Sequence, residues 1–297
     1  MSETERTAGI LYLIGTPIGN LEDMTFRAVR VLGEVAVIAA EDTRHTRGLL
    51  THYHIHTPLV SYHEHNKETA GPPLIHRLLA GESVACVSDA GLPGIADPGA
   101  DLVRLAIAAG IPVTVLPGAN AALTGLIASG LDTVRFSFAG FLPRTKEKRR
   151  ELLEELSGHR ETLIFYEAPH RLADTLKELA AVLGGGRPAV LCRELTKKYE
   201  EYRRAQLKEL LAGLPDKEQR GEFVIIVGGR DTAPDDPEEE TGGRVLTARD
   251  PEAIMAAVAN LIGQGVPEKE AMRQMARQTG LSRRDVYRMC LGERGNY

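Results

Sequence analysis

Residues 84–99 read VACVSDAGLPGIADPG. The first four are wholly apolar, and the next twelve hold three glycines and two prolines. An apolar run that breaks into glycine and proline reads as a strand buried on both faces, entering a loop of fixed path. Within that loop Asp89 can accept hydrogen bonds from a ribose or an amine. Asp97-Pro98 reads as a helix start, with Asp97 as N-cap and Pro98 in the first turn. Asp89 is therefore assigned to a ligand and Asp97 to capping.

The same alternation extends outward. Gly9–Ile14, Val35–Ala39 and Pro112–Leu116 are further apolar runs, while Thr25–Leu32, Thr43–Thr51, Lys67–Ala80 and Asp97–Ala109 carry helical patterning. Doubly apolar strands separated by helices predict a mostly parallel sheet covered on both sides. A second α/β unit begins near Val134. Its strands are expected at Val134–Ala139, Thr162–Tyr166, Pro188–Arg193 and Glu222–Val227, with helices at Lys146–Leu156 and Ala168–Leu183. From Asp231 to Arg244 acids crowd beside prolines and glycines, a composition that suits a flexible linker. Three short helices follow, at Pro251–Ile262, Pro267–Gln278 and Ser282–Leu291. The expected fold class is α/β: one α/β domain over 1–132, a second over 133–230, an acidic linker over 231–248, and a small helical, helix-turn-helix-like domain over 249–297.

Bulk properties agree. A chain of 297 residues suits two or three domains, and 43% hydrophobic with 26% charged residues is ordinary globular composition. The net charge of −5 excludes a uniformly basic nucleic-acid coat but leaves room for local patches. With no Trp and 5% aromatics, broad stacking platforms are disfavoured. Cys86, Cys192 and Cys290 form no CxxC pair, the amino end lacks an apolar export stretch, and no window is long enough to span a bilayer. These features predict a cytoplasmic protein with no membrane association.

Two more apolar runs lead straight into glycine-containing loops, GTPIGN (15–20) and PGANA (117–121). Glycines placed there let a ligand approach the backbone at the carboxyl end of a sheet. Neither loop is GxGxxG, and no Walker lysine follows, so dinucleotide and P-loop chemistry are unsupported. Each loop alone is equally a plain strand–helix turn. The small residues after Asn120 suit either a flat ligand group such as adenine or close helix–sheet packing. Three such loops at successive strand ends point to one shared ligand site.

The motifs GTPIGNLEDMTFRAV, AAEDTRHTRGLL, SYHEHN, VSDAGLPGIADPG, PGANAAL, GFLPR, FYEAPHR and GEFVIIVGG follow one another over roughly the first 230 residues. On them the chain resembles the tetrapyrrole methylase superfamily. The resemblance implies two α/β domains with S-adenosyl-L-methionine bound between them. It implies that Pro17 borders the cofactor and that Ser88, Asp89, Ala90, Gly91 and Ile95 line its methionine and ribose. Asn120 and Ala121 would flank the adenosine, and Tyr166 would close from the second domain. Tetrapyrrole-acting members carry a more glycine-rich first loop and a Gly-Asp-Pro second loop, where GTPIGN and SDAG stand here. These differences disfavour a porphyrinoid substrate, and within the superfamily the quoted motifs resemble the branch that 2′-O-methylates a decoding-centre cytidine of 16S rRNA. It implies 16S rRNA in the 30S subunit as partner, and a homodimer.

Methyl transfer to a ribose hydroxyl needs alignment, and gains from a base or from cations near the developing alkoxide. Candidates cluster at Glu41, Asp42 and Arg44; at His63, Glu64 and His65; and at Glu167, His170 and Arg171. Glu41 or His63 is expected near the acceptor hydroxyl, with Arg44 and Arg171 on phosphates. Glu41 and Asp42 could equally cap a helix beginning near Thr43, and the arginines could pair with these acids. The histidines at 52, 54, 56, 63 and 65 lack a ligand shell of convincing spacing, so no metal is expected. Basic clusters at Arg144, Lys146, Lys148, Arg149 and Arg150, and at Arg193, Lys197, Lys198, Arg203 and Arg204, are candidate phosphate contacts. Glutamates interleaved with the first cluster also suit a solvated helix face. In the tail, the segment opened by Ser282 with Arg283 and Arg284 is expected to grip RNA rather than serve only as a packing bundle. Two other functions compete: a small-molecule methylase of tetrapyrrole type, and a non-enzymatic nucleic-acid-binding regulator, in which the three loops would be idle.

Overall fold

In the computed structural model, β1 (Leu11–Ile14), β2 (Val37–Ala40), β3 (Leu59–Ser61), β4 (Val84–Val87) and β5 (Val113–Leu116) form a sheet of order β3-β2-β4-β1-β5. Every pairing in it is parallel. The structure describes residues 8–215, 220–230, 251–263, 266–268, 271–273, 275, 286 and 290. Alternation along the strands decides which helices cover which side. Leu11, Leu13, Val37, Ala39, Val84 and Cys86 share a core with Leu74 and Leu78 of α3 (Lys67–Leu79) and Leu102 and Ala106 of α4 (Gly99–Ala108). Ile14, Ile38, Ala40, Ala85 and Val87 join Ala28, Val31 and Leu32 of α1 (Phe26–Glu34) and Leu50 of α2 (Thr43–His52). Both faces are covered, as the continuous apolar runs require.

The second sheet joins β6 (Phe136–Phe141), β7 (Thr162–Glu167), β8 (Pro188–Arg193), β9 (Glu201–Gln206) and β10 (Phe223–Val227) in the order β6-β7-β10-β8-β9. Only β6–β7 is parallel; the other three pairings are antiparallel. Helices α6 (Lys146–Ser157), α7 (Leu172–Leu183) and α8 (Leu207–Ala212) cover one face, over Phe165, Leu191 and Ile225. The opposite face is covered by α5 (Ala121–Ser129), the helix that follows β5 of the first sheet. Its Ala122 and Leu126 pack on Ile164, Val190, Val224 and Ile226. Gly125 permits the close approach, since a Cβ there would already touch Cys192 Sγ and Val224 at 3.4 Å. Each large apolar side chain fully buried contributes roughly 1.5–3 kcal/mol. The patch under α5 is therefore comparable with the net stability of a typical protein, about 5–15 kcal/mol. This helix welds the two sheets together.

β9 has no apolar run to announce it in the chain. Its residues, EYRRAQ, are polar because an edge strand tolerates and benefits from charge. Arg203 and Arg204, on this strand, each make a hydrogen bond within the fold. Arg203 Nη2 donates to the Gly213 carbonyl at 2.8 Å, and Arg204 donates to the Ala128 carbonyl near the end of α5.

The chain divides into two compact units, Met1–Asp235 and Asp236–Tyr297. In the second, α9 (Pro251–Gly263) contributes Ile254 and Val258 to a small core with Ala271, Met272, Met275 and Val286. The expected linker over 231–248, and Arg283 and Arg284, lie outside the described residues. Among the described residues no helix is long and apolar enough to cross a membrane.

Candidate cofactor cleft and the hollow beside it

Parallel strands bring their carboxyl ends to one edge, and there the loops are stitched together. Thr16 and Gly91 exchange backbone hydrogen bonds of 3.0 and 3.1 Å, and Thr16 Oγ1 donates to the Ser88 carbonyl at 3.1 Å. Gly15 and Gly118 stand back to back, such that a Cβ on either would come within 3.0 Å of the other's Cα. Gly91 has φ +81°, the left-handed region that favours glycine. The loop after β2 joins them, since the Asp42 amide donates to Asp89 Oδ1 at 2.9 Å. Four strand ends meet.

Capping and cleft-lining roles fall to different residues at Asp42 and Glu41 but to the same residue at Asn120. Asp42 Oδ1 accepts from the Arg44 amide at 2.8 Å and the His45 amide at 3.4 Å, so Asp42 caps α2. Glu41 turns into the cleft instead. Asp97 Oδ1 accepts from the Gly94 and Gly99 amides, both at 2.8 Å, tying the loop to the first residue of α4. The N-cap position itself is Pro98, one residue later than expected, and Asp97 also lines the cleft. Asn120 caps α5, its Oδ1 accepting from the Leu123 amide at 2.9 Å. Tyr166, on β7, reaches across to the same helix, its hydroxyl accepting from the Ala122 amide at 3.1 Å.

These loops and the second sheet enclose a cavity of about 410 Å3. Ser88, Asp89, Ala90, Gly91, Ile95, Asn120, Ala121 and Tyr166 all line it, as does Glu41. Pro17 does not; it is buried beside the Thr16–Gly91 bridge. His63 is also absent from the lining. It follows β3, the outermost strand, with β2 standing between it and the cleft, and its ring contacts His65 edge-on at 6.0 Å. Arg44 lies outside as well, its side chain 91% exposed on α2 and 3.7 Å from Asp42.

Sequence reasoning missed the wall supplied by the second sheet: Leu195, Glu222, Phe223 and Val224. Glu194 and Thr196, non-glycine residues with φ of +52° and +66°, hold Leu195 between them in strained backbone. Lys197, from the same turn, lies against Gly19 and pairs with Glu194 at 2.9 Å and Glu222 at 3.1 Å. It clasps the two halves of the cleft and is not a free phosphate contact.

The cavity's charge is one-sided. Glu41, Asp89, Asp97, Glu167 and Glu222 line it, and among the described residues no lysine or arginine does. Glu167 is satisfied, accepting from the Ala168 amide at 2.8 Å and from Thr175 Oγ1 at 2.6 Å, with Arg171 Nε at 3.5 Å. Glu41 is not. Burial, then the charges of Asp89 and Asp97, push its carboxyl above the usual range, against the opposing pull of the Asp89 amide and the Ser88 hydroxyl. A cation in the cavity would relieve this crowding.

A second hollow, of about 890 Å3, shares Phe141 and Ala168 with the first. Its polar lining is basic: Arg144, Arg149, His170 and Arg171, against Asp174 alone among the acids. Arg149 pairs with Glu178, and Arg171 Nη2 donates to the Leu142 carbonyl at 2.9 Å, so both guanidiniums are held in place.

Residues 10–211 match the family of Tetrapyrrole (Corrin/Porphyrin) Methylases. The chain belongs to the tetrapyrrole methylase family. Tetrapyrrole methylases use S-adenosyl-L-methionine, and it is the cofactor here. The site fits it: a sulfonium and an α-ammonium suit the acidic cavity, while Ile18, Leu92 and Ile95 offer apolar wall to an adenine. This tetrapyrrole methylase is 51% identical over 279 residues to "Ribosomal RNA small subunit methyltransferase I" of Halalkalibacterium halodurans, covering 94% of this chain and 93% of that protein. Proteins of the same name from Bacillus subtilis and Synechocystis are 50% and 44% identical, covering 94% and 95% of the chain and 93% and 98% of theirs. The fold matches the methyltransferase CobJ with a TM-score of 0.58 at 19% identity, over 77% of this chain and 98% of that one. It also matches uroporphyrin-III C-methyltransferase from Thermus thermophilus, solved in complex with S-adenyl homocysteine, with a TM-score of 0.52 at 23% identity over 75% and 99%.

Proposed function

We propose that this methylase transfers a methyl group from S-adenosyl-L-methionine to the ribose 2′-hydroxyl of a decoding-centre cytidine in 16S rRNA, on the assembled 30S subunit. The observation that carries the reading is similarity along 94–95% of the chain, at 44–51% identity, to proteins named for methylating small-subunit rRNA. The rival acceptor, a tetrapyrrole, is named for uroporphyrin-III C-methyltransferase, a fold neighbour at only 23% identity. The idle-loop alternative, a regulator without catalysis, is disfavoured by four loops closing around a shaped acidic cavity.

The cofactor supplies a methyl group on sulfur that is already activated for displacement. What remains for the chain is alignment and one proton. Ser88, Asp89, Ala90, Gly91, Ile95, Asn120, Ala121 and Tyr166 hold the donor. Glu41 accepts the proton of the attacking hydroxyl. Its raised pKa brings it nearer neutrality, where a general base works best. Arg144 and Arg171, on the basic hollow, hold phosphates of the acceptor strand; Arg283 and Arg284, outside the described residues, are further RNA contacts. The protein acts in the cytoplasm, which suits three free thiols. It works as a homodimer, supported by Ile107, Val115 and Ile127 on α4, β5 and α5, exposed by 64, 56 and 74%.

The test is transfer of labelled methyl to 30S subunits from a strain lacking this activity, followed by mapping of the modified nucleotide. Label on the ribose of a cytidine is expected. Label on a base, or none on RNA alongside turnover of a tetrapyrrole, overturns the reading.

A further inference from the structure

β6 and β7 are parallel, and their register slips between Phe138 and Gly140. Phe138 pairs with Ile164, whereas Phe141, not residue 140, sits opposite Tyr166. A regular strand would place residues 138 and 141 on opposite faces. The extra residue, with Gly140 at φ +65°, returns Phe141 to the face of Phe138. Both rings therefore flank Tyr166 edge-on, with centroids at 4.9 and 5.6 Å. Tyr166 is itself pinned to α5 by the Ala122 amide. Phe141 is thus a rigidly backed ring, yet it remains 55% exposed. It stands on the partition between the acidic and the basic hollow, and lines both.

A ring 55% exposed contributes little to the core, and the bulge sets it on the cleft side of the sheet, where it can serve a ligand. We propose that Phe141 is the platform on which the acceptor nucleobase stacks. The flanking phosphate then lies toward Arg144, three residues on, and the ribose hangs over the partition toward Glu41. The inference rests on the reading of the protein as an RNA methylase. Stacking needs only a π-face, so one aromatic in the right place suffices where a broad platform is absent.

The experiment compares Phe141→Leu and Phe141→Trp with wild type. It measures methyl transfer to unmodified 30S subunits, S-adenosylmethionine affinity by calorimetry, and thermal melting. Leucine keeps apolar bulk and loses the π-face. Phe141→Leu is expected to lower kcat/KM for subunits by roughly 5- to 150-fold, the range of a single base–aromatic stack. Cofactor Kd should stay within about twofold and melting should be unchanged, while Phe141→Trp retains turnover. Equal turnover of Phe141→Leu and wild type overturns the inference, as does a loss that tracks cofactor Kd or melting. If wild type labels no RNA, the ribosomal reading fails and takes this inference with it. If wild type labels RNA and the leucine variant matches it, only the stacking role fails.

Discussion

Asp89→Asn separates charge from shape at the centre of the cleft. Asparagine keeps an oxygen where Asp89 Oδ1 accepts the Asp42 amide at 2.9 Å, so the tie between the loops after β2 and β4 survives. One of five lining carboxylates loses its charge. Hydrogen bonds to charged groups contribute roughly 1.5–3 kcal/mol, against about 0.5–1.5 for neutral ones, a difference of about 1–1.5 kcal/mol. Cofactor Kd should therefore rise about 5- to 10-fold by titration calorimetry. Asp89→Ala removes the acceptor as well and orphans the half-buried Asp42 amide, at about 1–3 kcal/mol. For a chain of this size that is a melting point lower by roughly 2–12 °C. The pair of variants should thus diverge, with affinity lost in both and stability in one. An Asp89→Asn protein that binds S-adenosylmethionine as tightly as wild type would refute the electrostatic account of the cavity.

Three further outcomes follow from the geometry. Glu41→Gln should cut methyl transfer by roughly 10²- to 10⁴-fold and abolish the rise of rate with pH through the Glu41 pKa. Because folded Glu41 titrates above its ordinary 4.5, the folded state holds more protons in that window, so stability falls as pH rises from about 4.5 to the raised value. The difference in melting between wild type and Glu41→Gln, followed against pH, isolates that slope, and a flat difference would contradict it. Gly118→Ala inserts a Cβ 3.0 Å from Gly15 Cα and should wedge the first and third loops apart. Calorimetry should show at least about tenfold weaker cofactor binding, with about 1–3 kcal/mol lost to overpacking. Ile127→Lys charges the most exposed apolar side chain of α5, and sedimentation should show the proposed dimer giving way to monomer without loss of cofactor binding. A monomeric wild type, or an unchanged mass in the variant, would overturn the proposed dimer face.

What could be read in advance depended on burial. Val37–Ala40 and Val84–Val87 are buried along their whole length, so each is a continuous apolar run visible in the chain. Leu59–Ser61 is three residues long and half exposed at the sheet edge, and leaves no such trace. That unseen strand is also why the chain alone does not show that His63 stands off the cofactor cavity. Arg204 illustrates a different blindness. Composition cannot distinguish a guanidinium that closes the end of α5 from one that awaits a phosphate. The far wall of the cleft was hidden by topology. β10 is the last strand of its sheet in sequence, yet sits centrally between β7 and β8, which brings Glu222 and Phe223 to the cavity from the end of the motif region.

The division of charge explains why one chain of net charge −5 can serve a cationic donor and a polyanionic acceptor. The first sheet delivers its acids on loops whose backbones are tied to one another, so Glu41, Asp89 and Asp97 cannot spread apart when the donor leaves. The second delivers its cations on elements locked by Glu167 and Glu178, so Arg149 and Arg171 keep their positions without an anion present. Opposite fields thus meet across the width of Phe141 and Ala168. A polynucleotide drawn toward the basic hollow is repelled by the acids next to it, and less so once the sulfonium is in place to offset part of their charge. This arrangement favours donor before acceptor. Subunit binding should therefore tighten on addition of S-adenosylmethionine, and tighten less with the product S-adenosylhomocysteine, which lacks the sulfonium charge, in a salt-dependent manner. Equal affinity in both cases, measured by filter binding at low ionic strength, would show that the two hollows do not sense each other.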